Sequence, residues 1–285
     1  MDKEVEQFYE DFYESEFMDN ATRFELKKIF YNKKLTNNKV YKYISFNNDF
    51  ELNKLKIQSF RNQGLWFGAY YTFNDQTELD INIDYNKVSK ATNIPKSNLV
   101  GIVNCFRQMN DICCLTTSLR NKMWNDYANN YNGICLCFDV KSYEYILPVI
   151  YSNKKEIDFT ETLIVALKST YNYNSNIDIT NIKAIKRLTF EPLVLKDYNT
   201  YAYEDEVRLY CGEKFDDIND ELGGRVYPKI KEKLKYTGCN YSYEKLGLEL
   251  CEIYLGKNLD NSIKKEIITI ANNQNVKIIE FKETK

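Results

Sequence analysis

The sharpest chemical feature of the sequence is the run Tyr203-Glu204-Asp205-Glu206-Val207-Arg208-Leu209-Tyr210. Three consecutive acids at the mouth of a strand repel one another, and on a strand Glu204, Glu206 and Arg208 point to one face. The bland account is a solvated edge strand with a cross-face ion pair; the functional one is two carboxylates and a guanidinium aimed into a cleft. The chain has no histidine, so a Ser-His-Asp or Cys-His relay, an imidazole base and a His metal ligand are all excluded. Proton transfer falls to Asp, Glu, Lys, Tyr or Cys, which favours a carboxylate-centred site.

Two further segments carry polar groups at element ends. Asn74-Asp75-x-x-Glu78 follows an aromatic strand, where Asn and Asp ordinarily form turns by capping backbone groups. Leu115-Thr116-Thr117-Ser118 leads into Met123-Trp124-x-x-Tyr127-Ala128 and Gly133-Ile134-Cys135-Leu136, a pattern of hydroxyls capping a helix whose aromatics pack on a sheet. The phosphate loops G-x-G-x-x-G and G-x-x-x-x-G-K-[ST] are absent, which removes dinucleotide dehydrogenase and P-loop readings. The eight cysteines form no C-x-x-C pair. Cys113-Cys114 and Cys135-x-Cys137 lie in apolar, strand-like runs where Cys serves as a small buried hydrophobe.

These residues sit in a chain of 285, 44% hydrophobic and 28% charged, with 39 Lys and Arg against 41 Asp and Glu. That suits a globular protein and argues against nucleic-acid binding by bulk charge. Arg appears seven times against 24 Tyr, a usage resembling the coding bias of an AT-rich bacterial or phage genome. The charged N-terminus lacks the apolar core of a signal peptide, and no stretch approaches the roughly 18 apolar residues of a membrane span. The expectation is a cytoplasmic protein with reduced cysteines and no membrane partner.

Val5, Phe8, Tyr9, Phe12 and Phe17 recur at helical spacing among acids, predicting an amphipathic helix, and Asn20 caps a second. Strands are predicted at 40–46, 64–71, 112–116, 133–140, 149–151, 206–211, 252–255 and 276–281, and helices at 49–58, 121–130, 157–169, 181–188 and 262–271, with a loop at 171–176. Strands and helices mix without regular βαβ alternation. The expected fold is α+β: small mixed or antiparallel sheets forming a cleft, with an N-terminal helical cap at 1–36 and a single domain at 37–285.

The ordered set Tyr41-Lys42-Tyr43, Gly64-Leu65-Trp66-Phe67, Phe73-Asn74-Asp75, Cys114-Leu115-Thr116, Met123-Trp124-x-x-Tyr127-Ala128, Gly133-Ile134-Cys135-Leu136, Tyr203-Glu204-x-Glu206-x-Arg208-Leu209 and Ile253-Tyr254-Leu255-Gly256 resembles the bacterial domain-of-unknown-function family 2971. It spans about residues 40 to 282. Gln76 stands where such proteins commonly carry Pro after the Asn-Asp pair.

The order of a basic residue flanked by aromatics, then strand-Thr-Thr-Ser-helix-strand, then a strand opening with Glu-x-Glu is similar to the layout of mono-ADP-ribosyltransferases. In that fold two small sheets pack at an angle and NAD lies in the cleft between them. The resemblance implies that Glu206 stabilises positive charge on the ribose as nicotinamide leaves and that Glu204 orients the acceptor. Thr117 or Ser118 would brace the site, and Tyr43 or Trp66 would stack on nicotinamide. Lys42 departs from the usual Arg and lacks its bidentate fork for a diphosphate.

The expectation is therefore an NAD-consuming enzyme with NAD as substrate and no metal. Its catalytic residues would be Glu206 and Glu204; Lys42, Tyr43, Trp66, Asn74, Asp75, Thr117, Ser118, Trp124 and Tyr127 would bind substrate, and Arg208 would be structural. The first alternative is a non-catalytic module of a defence locus that binds a nucleotide or a protein target. The second is a nuclease with Asp75, Glu78, Glu204 and Glu206 around Mg²⁺, which ranks last because a nuclease needs a stronger basic surface.

Overall fold

A computed structural model describes residues 3–14, 20–69, 82–108, 111–153, 158–171, 179–211 and 238–282. The strands are β1 (Lys39–Ser45), β2 (Gly64–Ala69), β3 (Asp111–Thr116), β4 (Gly133–Val140), β5 (Ile146–Pro148), β6 (Ile150–Ser152), β7 (Leu195–Asp197), β8 (Glu206–Cys211), β9 (Gly238–Ser242), β10 (Leu248–Leu255) and β11 (Lys277–Glu280). The helices are α1 (Lys3–Glu14), α2 (Asn20–Lys34), α3 (Phe50–Arg61), α4 (Tyr85–Thr92), α5 (Lys96–Gln108), α6 (Asn121–Tyr127), α7 (Thr160–Tyr171), α8 (Ile179–Val194), α9 (Tyr198–Tyr201) and α10 (Asn261–Asn273). The fold is α+β, as expected.

Among the described residues nine strands form one mixed sheet, and β6 and β7 form a separate parallel pair. The large sheet is forked at β3. One edge of β3 pairs along its length with β8, from Asp111↔Cys211 to Thr116↔Glu206, and β5 lies beyond β8. The other edge meets β1 through Tyr41↔Thr116 and β2 through Gly68↔Ile112 and Ala69↔Asp111. Between these points β1 leaves with β4, β10 and β11, and β2 leaves with β9. Middle carbonyls on that edge lose strand partners, and a buried carbonyl must find another donor. The Lys42 ammonium supplies it, donating to Cys114 O at 2.9 Å.

The apolar patterning explains what covers each face. Val40, Leu115, Leu136, Phe138, Val207 and Leu209 alternate onto one face and pack with Ile57 and Phe60 of α3 and Ile267 and Ile270 of α10. The opposite face is covered over β1 and β4 by Met123, Trp124 and Ala128, and over β3 and β5 by α1 and the end of α8. Both faces of β4 are thus buried, which accounts for its nearly continuous apolar sequence. Gly133 and Gly256 sit where backbones touch: a Cβ there would lie 2.4 Å from Ile44 O and 2.1 Å from Tyr131 O, respectively.

The N-terminal cap is built by α1, whose Val5, Phe8, Tyr9, Phe12 and Tyr13 are all buried. Tyr9 donates to Pro148 O at 2.6 Å, and Lys186 of α8 donates to Phe12 O at 2.9 Å. Helices α3 and α10 start where Asp49 and Asp260 accept backbone N–H bonds from Leu52 and from Ser262 and Ile263, as an N-cap requires.

Several elements differ from the sequence expectation. Helices α4 and α5 and strands β5, β7 and β9 were not expected. Strand β10 begins at Leu248 rather than 252, and α8 runs on to Val194. The α4 and α5 apolar residues Val88, Leu99 and Val103 pack with Leu163 and Leu167 of α7 in a cluster of their own, so tertiary contact rather than local pattern holds them. The strand end at 70–71, most of the expected loop at 171–176, and Asn74, Asp75, Gln76 and Glu78 lie outside the described residues.

Candidate functional site

Strand β8 begins at Glu206, one residue after Asp205 turns the chain with a φ of 45°, a conformation Asp tolerates better than bulkier residues. Glu206 and Arg208 share a strand face, while Glu204 ends the short 3-10 turn Ala202–Glu204. The Asp205 turn nevertheless brings both carboxylates to one cation, Lys196 of β7. Its Nζ lies 2.6 Å from Glu204 Oε2 and 2.6 Å from Glu206 Oε2. Arg208 Nε donates to Glu206 Oε1 at 2.8 Å and its Nη1 to Leu193 O at 2.7 Å. Tyr127 donates its hydroxyl to the remaining Glu204 oxygen, Oε1.

The network runs from the surface to the core. Tyr127 is 39% exposed, Glu204 2%, Glu206 5% and Arg208 0%. Two carboxylates face two cations, which is how buried charge is tolerated. Burial acts to raise the Glu206 carboxyl, but the Arg208 and Lys196 charges outweigh it and hold the group well below the usual carboxylate range. Burial raises Glu204, and the opposing pull of Lys196 and Tyr127 does not cancel it. The pair is thereby split into one firmly ionised acid and one with higher proton affinity.

The hydroxyls of the Thr-Thr-Ser segment brace the acidic turn. Thr116 Oγ1 donates to Glu204 O at 2.5 Å, Thr117 N to Asp205 O at 3.0 Å, and Ser118 Oγ to Asp205 Oδ2 at 3.1 Å. Arg120 bonds both Ser118 and Asp205. Tyr43 and Trp124 lie just beneath, ring against ring at 5.2 Å and 88°, and both are buried. At the rim Tyr203 donates to Asp126 Oδ2 at 2.6 Å, and the Lys122 ammonium stands 3.6 Å from its ring centroid.

The structure thus gathers Glu204, Glu206, Arg208, Thr117, Ser118 and Tyr127 in one place, with Tyr43 and Trp124 as the floor. Lys42 is elsewhere. Paired strand residues share a face, so the register puts Tyr41, Thr116 and Glu206 on one side and Lys42 with Leu136 on the other. Trp66 lies on the other arm of the fork, against the site where a Gly238 Cβ would stand.

Lys196 and Tyr151 were not among the sequence candidates. Tyr151 accepts a bond from Glu206 N at 2.8 Å. They pair with each other across β6 and β7, three-residue strands too short for a periodic signal. A lone lysine in Leu195-Lys196-Asp197 carries no mark of its partners. Among the described residues no three Cys, Asp or Glu side chains gather as ligands for a metal, and no helix is long and apolar enough to cross a membrane.

A family model described as a protein of unknown function (DUF2971) matches residues 123–209. This segment is similar to that family. It begins in α6 and ends in β8, so Tyr127, Lys196, Glu204, Glu206 and Arg208 all fall inside it, whereas Lys42, Tyr43 and Trp66 precede it. The matched segment therefore contains the whole ion network. No curated protein and no solved structure matches the chain.

Proposed function

We propose that the protein is a binding module for a planar, nucleotide-like ligand, with the buried ion network as the frame of the binding surface. The carrying observation is that Glu204 and Glu206 are both engaged by internal partners, Lys196, Arg208 and Tyr127. A carboxylate that must face a substrate sugar needs a free oxygen. Above the network Tyr127, Tyr203 and Lys122 present aromatic faces and a cation, groups suited to a base and its phosphate.

A second reading, an NAD-consuming transferase, is favoured by the split proton affinities of the two acids, the pattern of an acid and a base at work together. In that reading Lys196 occupies the place of the cationic sugar and must withdraw before Glu206 faces the ribose. Calorimetric titration with NAD, ATP and GTP, run beside a nicotinamide-release assay, separates the two. The binding module predicts saturable binding without release, weakened about tenfold or more by Tyr203→Ala through loss of stacking. Release that falls about 10²-fold in Glu206→Gln, with affinity little changed, would replace it with the transferase. Absence of both binding and release would remove both readings.

A further inference from the structure

Away from the ion network, the sheet carries a second reactive grouping between β4 and β10. The pairing of these strands shifts register between Leu250 and Glu252, with Glu252 opposite Cys137. Cys251 occupies this bulge, where two residues oppose one and a side chain is re-aimed. Its sulfur comes to 3.5 Å from Cys137 Sγ and 3.2 Å from Cys137 O. The Lys39 ammonium of β1 lies 3.7 Å from Cys251 Sγ. Cys137 is buried and Cys251 partly exposed, so one thiol of the pair meets solvent and the other waits behind it.

We propose that Cys251 and Cys137 form a peroxide-reactive dithiol, with Cys251 as the attacking sulfur and Cys137 as the resolving one. The Cys251 thiolate attacks one oxygen of a hydroperoxide, ROOH. The O–O bond breaks, ROO's distal oxygen stays on sulfur as a sulfenic acid, and RO⁻ leaves and takes a proton from water. The Cys137 sulfur then displaces hydroxide from that sulfenic acid; the S–S bond forms, the Cys137 proton leaves with the hydroxide as water, and two electrons have passed from the thiols to the peroxide. The sulfurs must close from 3.5 Å to the roughly 2.05 Å of a disulfide, a shift within reach of neighbouring strands.

The surroundings favour thiolate on Cys251 rather than on Cys137. The contact with the Cys137 sulfur brings Cys251 down to about 7 against the opposing effect of burial, with Lys39 assisting and Asp139 and Glu252 opposing. The same contact and burial push Cys137 well up. Tyr41 and Tyr254, also at this face, are raised by burial and remain neutral, and the exposed Lys141, paired with Glu249 at 2.6 Å, adds a further positive charge that Cys251 meets. Lys277 of β11 neutralises Glu252 at 3.0 Å.

The test uses the reduced full chain. A brief iodoacetamide pulse, read by peptide mapping, should label Cys251 about tenfold faster than Cys113, Cys114, Cys135, Cys137 or Cys239, at a rate rising with pH through about 7. In a separate, unlabelled sample hydrogen peroxide should consume two of the eight thiols and yield a peptide joining 137 to 251. Cys251→Ser should slow that loss about tenfold, and Cys137→Ser should leave a dimedone-reactive sulfenic acid at Cys251. Labelling of Cys251 no faster than those five cysteines, or a disulfide joining a different pair, would overturn the proposal, and the wild-type pulse decides it even if a variant fails to fold.

Discussion

Replacing Lys196 with Met removes the cation between two buried acids while keeping most of the stem volume. Lys196 makes two contacts of 2.6 Å with carboxylates, and all three side chains are nearly inaccessible. At an effective dielectric of about 20 each such attraction is on the order of 6 kcal/mol, and removing the ammonium recovers a desolvation cost of several kcal/mol. The expected net loss is that of breaking a buried pair, about 3–5 kcal/mol. At about 2–4 °C per kcal/mol for a chain of this size, Tm should fall by about 6 to 20 °C. The pH dependence follows from Glu204. Its folded proton affinity is already above the ordinary value, and losing Lys196 raises it further. A carboxyl raised on folding contributes stability at low pH and loses it as pH rises through the folded value. The deficit should therefore grow from about pH 5 upward, once the unfolded carboxyl near 4.3 has ionised. Wild-type Glu206 has the opposite sign: its depressed folded value contributes stability above the ordinary carboxylate range, lost only on strong acidification. Differential scanning calorimetry of both proteins between pH 5 and pH 8 is the assay. A Tm within about 2 °C of wild type, or a deficit that shrinks as pH rises, would refute the network's structural weight.

Other perturbations probe separate parts of the fold. Arg208→Met removes one of two cations from Glu206 and the donor to Leu193 O; urea unfolding should show a loss of about 3–5 kcal/mol. Gly256→Ala would put a Cβ 2.1 Å from Tyr131 O and should cost about 1–3 kcal/mol or more, visible as a lower Tm and reduced soluble yield. Tyr9→Phe deletes the 2.6 Å bond to Pro148 O and leaves that carbonyl unpaired, which should cost about 1–3 kcal/mol in the same unfolding experiment.

The parts of the fold legible in the sequence are those whose signal is local. The apolar run at 133–140, the alternation at 206–211 and the helical spacing of Phe8, Tyr9 and Phe12 report burial directly, and the elements fall there. The acidic run and the Thr-Thr-Ser segment were visible as neighbours in type; their meeting depends on β3 pairing with β8, Thr116 opposite Glu206. Lys42 shows where local reading stops. Its aromatic flanks and positive charge suit a ligand site, but facing is decided by register, and one residue's offset from Tyr41 puts it on the far side of the sheet. Lys196 shows the complementary case, since nothing adjacent to it announces that two acids eight and ten residues onward will converge on its amine.

Apolar residues of similar volume often replace a buried ion network without loss of stability, so stability alone does not explain this one. What the ions add is register. Strands β6 and β7 contribute three residues each, too few for a two-stranded pair to hold its own alignment. Lys196 bridges Glu204 and Glu206, Tyr151 accepts from Glu206 N, and Arg208 reaches Leu193 O at the end of α8. A one-residue slip of β7 against β6 would set Leu195 or Asp197 before Glu206. The first leaves two buried carboxylates short of a cation and the second adds a third acid, so both alternatives are penalised by several kcal/mol. An apolar seam would tolerate either slip. The network thus fixes the position of the turn that carries Tyr201, Tyr203 and Glu204, and with it the spacing between Tyr203 and Tyr127 at the rim.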